Sequence, residues 1–305
     1  MLGIVDTCFH IQIFQYCLLV KQFKDTSMNQ NIEYKEFGKD SARHKMRLIL
    51  ANNFYKGQGA DKHEVQLIHN FYCGITPVTQ QLWEAVMGTN PSSFKSPDCP
   101  VEMVSWLDAV LFCNKLSSLE GLDCVYELPN NFERALSYQR SPSSADIDFL
   151  TTMVEQDLSK EGYRLLTDAE WEYAARGSDD GTVAFENQAN AQNIYSGSDD
   201  ADTVAWWKEN SEGHCSPVGQ KEPNSFELFD MSGNVHEWCW DWDSSRSSYQ
   251  QVNPTGPKKG IRKILRGGSF RNRKEDVSVF TRRGGDPSSR KKYGGFRIAR
   301  TKKEK

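Results

Sequence analysis

LFDMSGNVHEWCWDW, residues 228–242, decides how this chain is read. It has neither the 3.6-residue period of an amphipathic helix nor a long apolar run. It reads as a tight loop punctuated by tryptophan. The same texture extends around it: from Gly177 onward periodicity fades into Gly-, Asn- and Ser-rich segments marked by Trp206, Trp207, Trp238, Trp240 and Trp242. Short strands are expected at 264–270 and 296–300. Upstream the signals are helical. Thr79 precedes Leu82, Trp83, Val86 and Met87, with Gly88 placed to end a short helix. Ser105 with Asp108, and Thr167 with Glu170, form capping boxes that satisfy backbone N–H groups at two helix starts. Their buried faces would be Trp106, Ala109, Cys113 and Leu116, then Ala169, Tyr173 and Ala174, with Gly121 and Gly177 as stops. Val65, Leu67, His69, Phe71 and Cys73 alternate as one strand would. Helices early and irregular chain later predict an α+β fold.

The chain has 305 residues, 38% hydrophobic and 26% charged, with 8 Trp, 11 Tyr and 16 Phe. Such aromatic content excludes a disordered chain, and the length is ample for a real core. No run approaches the ~18 apolar residues of a membrane span. The net charge of −4 conceals a division. Residues 257–305 hold 18 Lys and Arg against 4 Asp and Glu, so the remainder is strongly acidic. Two readings stay open: a basic segment lying against its own acidic body, or a face for an anionic partner.

Residues 1–45 read as a leader, 46–300 as one domain with a polar surface insertion near 125–161, and 301–305 as a basic tail. The eight cysteines show no CxxC or CxxH spacing, which argues against structural zinc. The first twenty residues lack a basic start and a small-residue cleavage site. Reduced thiols in the cytoplasm are the default expectation, with the cell surface or secretion open if the N-terminus is incomplete or atypical.

Seven segments in order then carry a resemblance: NPSSF at 90–94, PVEMVSWLDAVLFCNKLS at 100–117, GYRLLTDAEWEYAARG at 162–177, PVGQKEPN at 217–224, the opening stretch at 228–242, RGGSF at 266–270 and GGFRIAR at 294–300. Together they resemble the formylglycine-generating enzyme, or sulfatase-modifying factor, family. The resemblance implies a loop-rich variant of the C-type lectin fold. It also implies an oxidase that converts a substrate cysteine to formylglycine through two copper(I)-binding cysteines after the GGS motif. Those positions hold Asn272 and Val277, and no cysteine follows Cys239. An amide and an isopropyl group cannot bind soft copper(I) or exchange thiols, so copper is not expected. The histidines also lack the H-x3-H-x-E spacing of the family's iron-dependent relatives.

What the resemblance leaves is calcium and a surface. The family's calcium loop maps onto Asp230, Gly233, Val235 and Glu237, a carboxylate-and-carbonyl set that suits a hard cation. The resemblance also extends to variable proteins of diversity-generating retroelements, in which the stretch between GGS and GFR binds targets. Here that stretch offers Arg271, Asn272, Arg273, Lys274, Arg283, Arg290, Lys291 and Tyr293, with Arg282 a structural ion-pair partner. Arginine suits planar anions through paired N–H bonds. The expectation is a non-catalytic binder of an anionic protein or glycan. The alternative is an oxidoreductase-like enzyme with altered chemistry. Nucleic acid is the least supported partner, since no recognition motif is present.

Overall fold

The computed structural model describes residues 34–37, 44–137, 149–177, 193–245 and 249–303. Two compact units divide the chain, Met1–Tyr34 and Lys35–Lys305. Most of the expected leader, the SPSSAD stretch within 138–148, and residues 304–305 lie outside the described residues.

The three helices expected from the sequence begin where local chemistry starts them. The Thr79 side chain accepts the Leu82 N–H, and helix Gln80–Met87 stops at Gly88, left-handed at φ 79°. Ser105 and Asp108 exchange both bonds of a capping box ahead of Trp106–Leu119. Thr167 and Glu170 do the same ahead of Asp168–Arg176. The faces expected to be buried in the two capping-box helices are buried, while in Gln80–Met87 Leu82 and Trp83 are buried and Val86 and Met87 partly so.

Five strands form one sheet in the order Tyr34–Phe37, His44–Ile49, Phe71–Gly74, Ile298–Thr301, Tyr163–Leu165. Four form another in the order Arg282–Gly285, Lys263–Arg266, His236–Trp242, Gly294–Phe296. Smaller sheets join Gln251–Val252, His63–Gln66 and Asn53–Lys56, and Tyr126–Glu127 with Glu155–Gln156. Few helices, short strands and long connections make the mixed α and β architecture that the sequence implied.

Four expectations need correction. The alternating run 65–73 is two strands in two sheets, not one. Val65, Leu67, Phe71 and Cys73 are buried in phase, but His69 is exposed at the break. Alternation reports which side chains enter the core, not which strand they pair with. The segment 125–161 is not merely surface: Val125, Tyr126, Phe132, Leu150 and Val154 belong to the largest apolar core. The opening stretch contains a seven-residue strand, His236–Trp242, at the centre of its sheet. Finally, 296–300 is two strands, with buried Arg297 where the chain passes from one sheet to the other.

The Trp-rich strand is locked to the long helix by two reciprocal bonds. Trp106 Nε1 donates to the Cys239 carbonyl at 3.0 Å, and Trp238 Nε1 donates to the Val104 carbonyl at 3.1 Å. A buried ionic network ties the strands to the Asp168–Arg176 helix. Asp168 receives Lys56 and Arg266, each at 2.5 Å, and Arg282 at 3.2 Å. Glu172 receives Arg266 and Arg176. Arg282 also reaches Asp243 at 2.8 Å, the structural role expected of it.

Candidate functional site

The RGGSF motif makes the turn on which the site is built. Gly268 has φ 70°, and a Cβ there would stand 2.6 Å from the Asp276 carbonyl and 2.7 Å from Val277. Only glycine lets the chain pass so close. Ser269 then anchors the next turn: its hydroxyl donates to Asn272 Oδ1 at 2.7 Å, and its carbonyl accepts the Asn272 N–H at 2.9 Å. Beyond the turn, Val277 is fully buried with Tyr195, Ala201, Val204, Ala205 and Trp207. The two positions matching the oxidase cysteines therefore hold a turn-ordering amide and a core side chain.

Across from this turn the His236 N–H donates to the Tyr293 carbonyl at 2.8 Å, and the two rings meet edge-on at 5.8 Å. His236, Ser269, Arg271, Asn272, Arg283 and Tyr293 line an open cavity of about 290 Å³. The Arg271 guanidinium lies 5.5 Å over the Tyr293 ring, held by cation–π attraction. Arg283 pairs with Asp276 at 2.9 Å, half-exposed at the rim. His236 is 3% exposed, and its Nδ1 makes no hydrogen bond of standard geometry, its ring interacting only weakly with the Asn272 side chain. Burial, helped by the Arg283 charge, lowers its pKa to about 4. At neutral pH the cavity thus offers two arginines, a tyrosine ring, an amide and a neutral imidazole whose Nδ1 lacks a well-formed hydrogen bond. Among the described residues no carboxylate lines it.

Of the residues expected at this face, Arg271, Asn272, Arg283 and Tyr293 meet in the cavity. Arg273 and Lys274 turn away, into an adjacent depression with Trp207, Lys208, Glu209, Glu275 and Asp276. Lys291 is exposed outside both. Arg290 does not belong to a free binding face. It forms a two-pronged pair with Asp108, 2.6 Å on each arm, and so braces a capping box. Part of the basic C-terminal surplus is taken up in this way. Arg266, Arg282, Arg290 and Arg297 each face an acid from outside residues 257–305, whereas Arg283 faces Asp276 within them. His236 and Ser269 are the site residues that sequence reasoning missed. The lone His beside Glu237 was visible, but only the pairing with Tyr293 shows where it points.

The calcium expectation does not fit this geometry. Glu237 Oε1 accepts Arg297 at 2.8 and 3.2 Å, while Oε2 accepts Trp171 Nε1 at 2.7 Å and Arg297 Nε at 3.1 Å. Those donors fill the roughly four acceptor positions of a carboxylate. Asp230 accepts the Gly219 N–H at 2.8 Å and Asn234 at 3.2 Å, and burial raises its pKa. One carboxylate beside the Gly233 and Val235 backbone falls short of the 6–8 oxygens calcium takes. Among the described residues no helix is long and apolar enough to cross a membrane.

The family model described as "Sulfatase-modifying factor enzyme 1-like domain" matches residues 33–302. Among solved structures the chain is similar to Treponema denticola variable protein 1, with a TM-score of 0.76 and 33% identity, over 88% of this chain and 99% of that one. It is 38% identical over 194 residues to the chaperone protein LppX of Paenibacillus barcinonensis, covering 58% of this chain and 64% of that protein. It is 32% identical over 154 residues to the formylglycine-generating enzyme of Thermomonospora curvata, covering 45% of this chain and 49% of the enzyme. The chain thus spans less than two thirds of these curated relatives' length.

Proposed function

The chain belongs to the sulfatase-modifying factor enzyme 1-like family, and from that premise we propose that it is a ligand-binding protein in which the oxidase site has become a recognition site for an anionic group. The ligand class is a protein or glycan bearing carboxylate or sulfate. The observation that carries this reading is His236, a residue lining a cavity flanked by Arg271 and Arg283, whose buried Nδ1 makes no hydrogen bond of standard geometry. A buried polar group left unpaired costs about 1–3 kcal/mol, which a ligand donor or acceptor would recover. Two guanidinium groups at the mouth suit planar oxyanions. Likeness to a variable protein over nearly the whole chain adds support for a binding role.

The alternative, an oxidase-like enzyme with altered chemistry, draws no specific support from the cavity. The Ser269 hydroxyl is committed to Asn272 and not to an imidazole base, so no activated nucleophile stands there. An array of sulfated, sialylated and neutral glycans beside acidic and neutral proteins tests the proposal. Selective capture of anionic members, weakened in His236→Gln, is expected. Equal capture of neutral members, or conversion of a thiol peptide to an aldehyde, would overturn it.

A further inference from the structure

We propose that Cys99 and Cys215 are a reversible dithiol–disulfide pair, a redox-modification site in the layer beneath the cavity. They stand 116 residues apart in sequence, yet the Cys99 thiol donates to the Cys215 carbonyl oxygen at 3.6 Å, and the two thiols are close enough to shift each other's acidity. The segments that carry them are stitched on both sides. The Val218 N–H donates to the Asp98 carbonyl at 2.9 Å, and the Phe94 and His214 rings stack at 4.2 Å with their planes 4° apart. Both cysteines are buried against Val235 and Phe270, with Tyr293 packed on the same cluster. Pro97, Asp98, Glu212 and Gly213 beside them are exposed. The pair therefore sits one layer down at a junction of two loops, where local opening leaves the sheets intact. Among the described residues the other buried thiols, Cys73, Cys113 and Cys239, lie inside the two main cores.

The oxidant is a low-molecular-weight disulfide, RSSR. The Cys99 thiolate attacks one of its sulfurs; the S–S bond breaks, and the first RS⁻ leaves and takes up the proton Cys99 lost. Cys215 then attacks the Cys99 sulfur of the mixed disulfide, and the second RS⁻ leaves with the Cys215 proton. Two protein thiols are oxidised to one disulfide, and RSSR is reduced to two RSH. The order follows from the thiols' unequal acidity. The interaction with the Cys215 thiol lowers the pKa of Cys99, while that interaction and burial raise the pKa of Cys215. Closing so long a loop restricts the unfolded chain, so the oxidised protein should be the more heat-resistant form.

The full chain is equilibrated in oxidised glutathione, quenched with an alkylating reagent, cleaved without reductant and mapped by mass spectrometry. The expected product is a cross-linked peptide pair joining Cys99 to Cys215. An upward melting shift on the order of several °C should accompany it and be reversed by reductant. Cys99→Ser and Cys215→Ser should both lose the cross-link and the shift, and Cys215→Ser should trap Cys99 as a glutathione adduct. Full alkylation of both cysteines in oxidised, folded protein would overturn the proposal, and so would a cross-link to any other cysteine. Mapping of the unmutated protein decides the matter even if a serine variant fails to fold.

Discussion

Arg290 grips Asp108 with both arms of its guanidinium, 2.6 Å each, across 182 residues of sequence. Asp108 simultaneously closes the capping box on the Ser105 N–H at 2.9 Å. One carboxylate thus starts the long helix and fastens the loop before the final strands. The hydrogen bonds to Asp108 raise the pKa of Arg290, so its charge is secure.

Replacing Arg290 by Ala should therefore destabilise the fold by about 1.5–3 kcal/mol, the range for hydrogen bonds to charged groups. Ligand affinity should be unchanged once the protein is folded. Thermal melts paired with a binding assay check this, and a variant that melts normally but binds poorly would return Arg290 to the binding face.

Chelation should leave the melting temperature unchanged, because Glu237 is already neutralised by Arg297 and bonded by Trp171. Glu237→Gln should be severely destabilising, by about 3–5 kcal/mol, since it strands Arg297 as a buried unpaired charge. Differential scanning calorimetry with and without EGTA, with elemental analysis, is the measurement. A large downward shift on chelation with bound calcium recovered would restore the metal.

His236 gives the cavity a pH signature. Its folded pKa of about 4 lies below the ordinary histidine value of 6.5. Between those limits the unfolded chain binds the extra proton, so stability rises with pH and is lost as pH falls from 6.5 towards 4. The loss attributable to this group is on the order of 3 kcal/mol. His236→Gln should flatten the stability profile across that window relative to the unmutated protein, read by denaturant melts at several pH values. An identical pH dependence in the two proteins would mean that His236 is not held neutral by burial.

What was legible in the sequence was local. Capping boxes at 105 and 167 bring partners three residues apart, so pattern alone reveals them. The His236–Trp242 strand escaped because almost every side chain on both its faces is buried, polar ones included. Their partners are remote: Arg297 for Glu237, and the Asp168 N–H for Asp241. Inward-pointing acids among tryptophans look like a loop until those partners are placed. The same limit hid the basic surplus. Its count was right, but a count cannot show that Arg266 faces Glu172 or that Arg290 faces Asp108. The cavity joins 236, 269–272, 283 and 293, four stretches that only the sheet brings together.

Arg271 and Arg283 remain as the cations at the cavity mouth, and they should control association with the ligand. Attraction between exposed charges acts over the Debye length, which falls from ~30 Å at 0.01 M salt to ~8 Å at physiological ionic strength. Raising salt across that range should weaken binding mainly by slowing association. Arg271→Ala with Arg283→Ala should reduce affinity and flatten the salt dependence together. Stability should hardly move, because exposed pairs such as Arg283–Asp276 contribute only about 0–1 kcal/mol. Arg273→Ala with Lys274→Ala is the matched control: it removes the same charge from the neighbouring depression, outside the cavity. Surface plasmon resonance at two salt concentrations separates the cases. If the control pair lowers affinity as much as the cavity pair, the ligand reads net surface charge and not the pocket at His236.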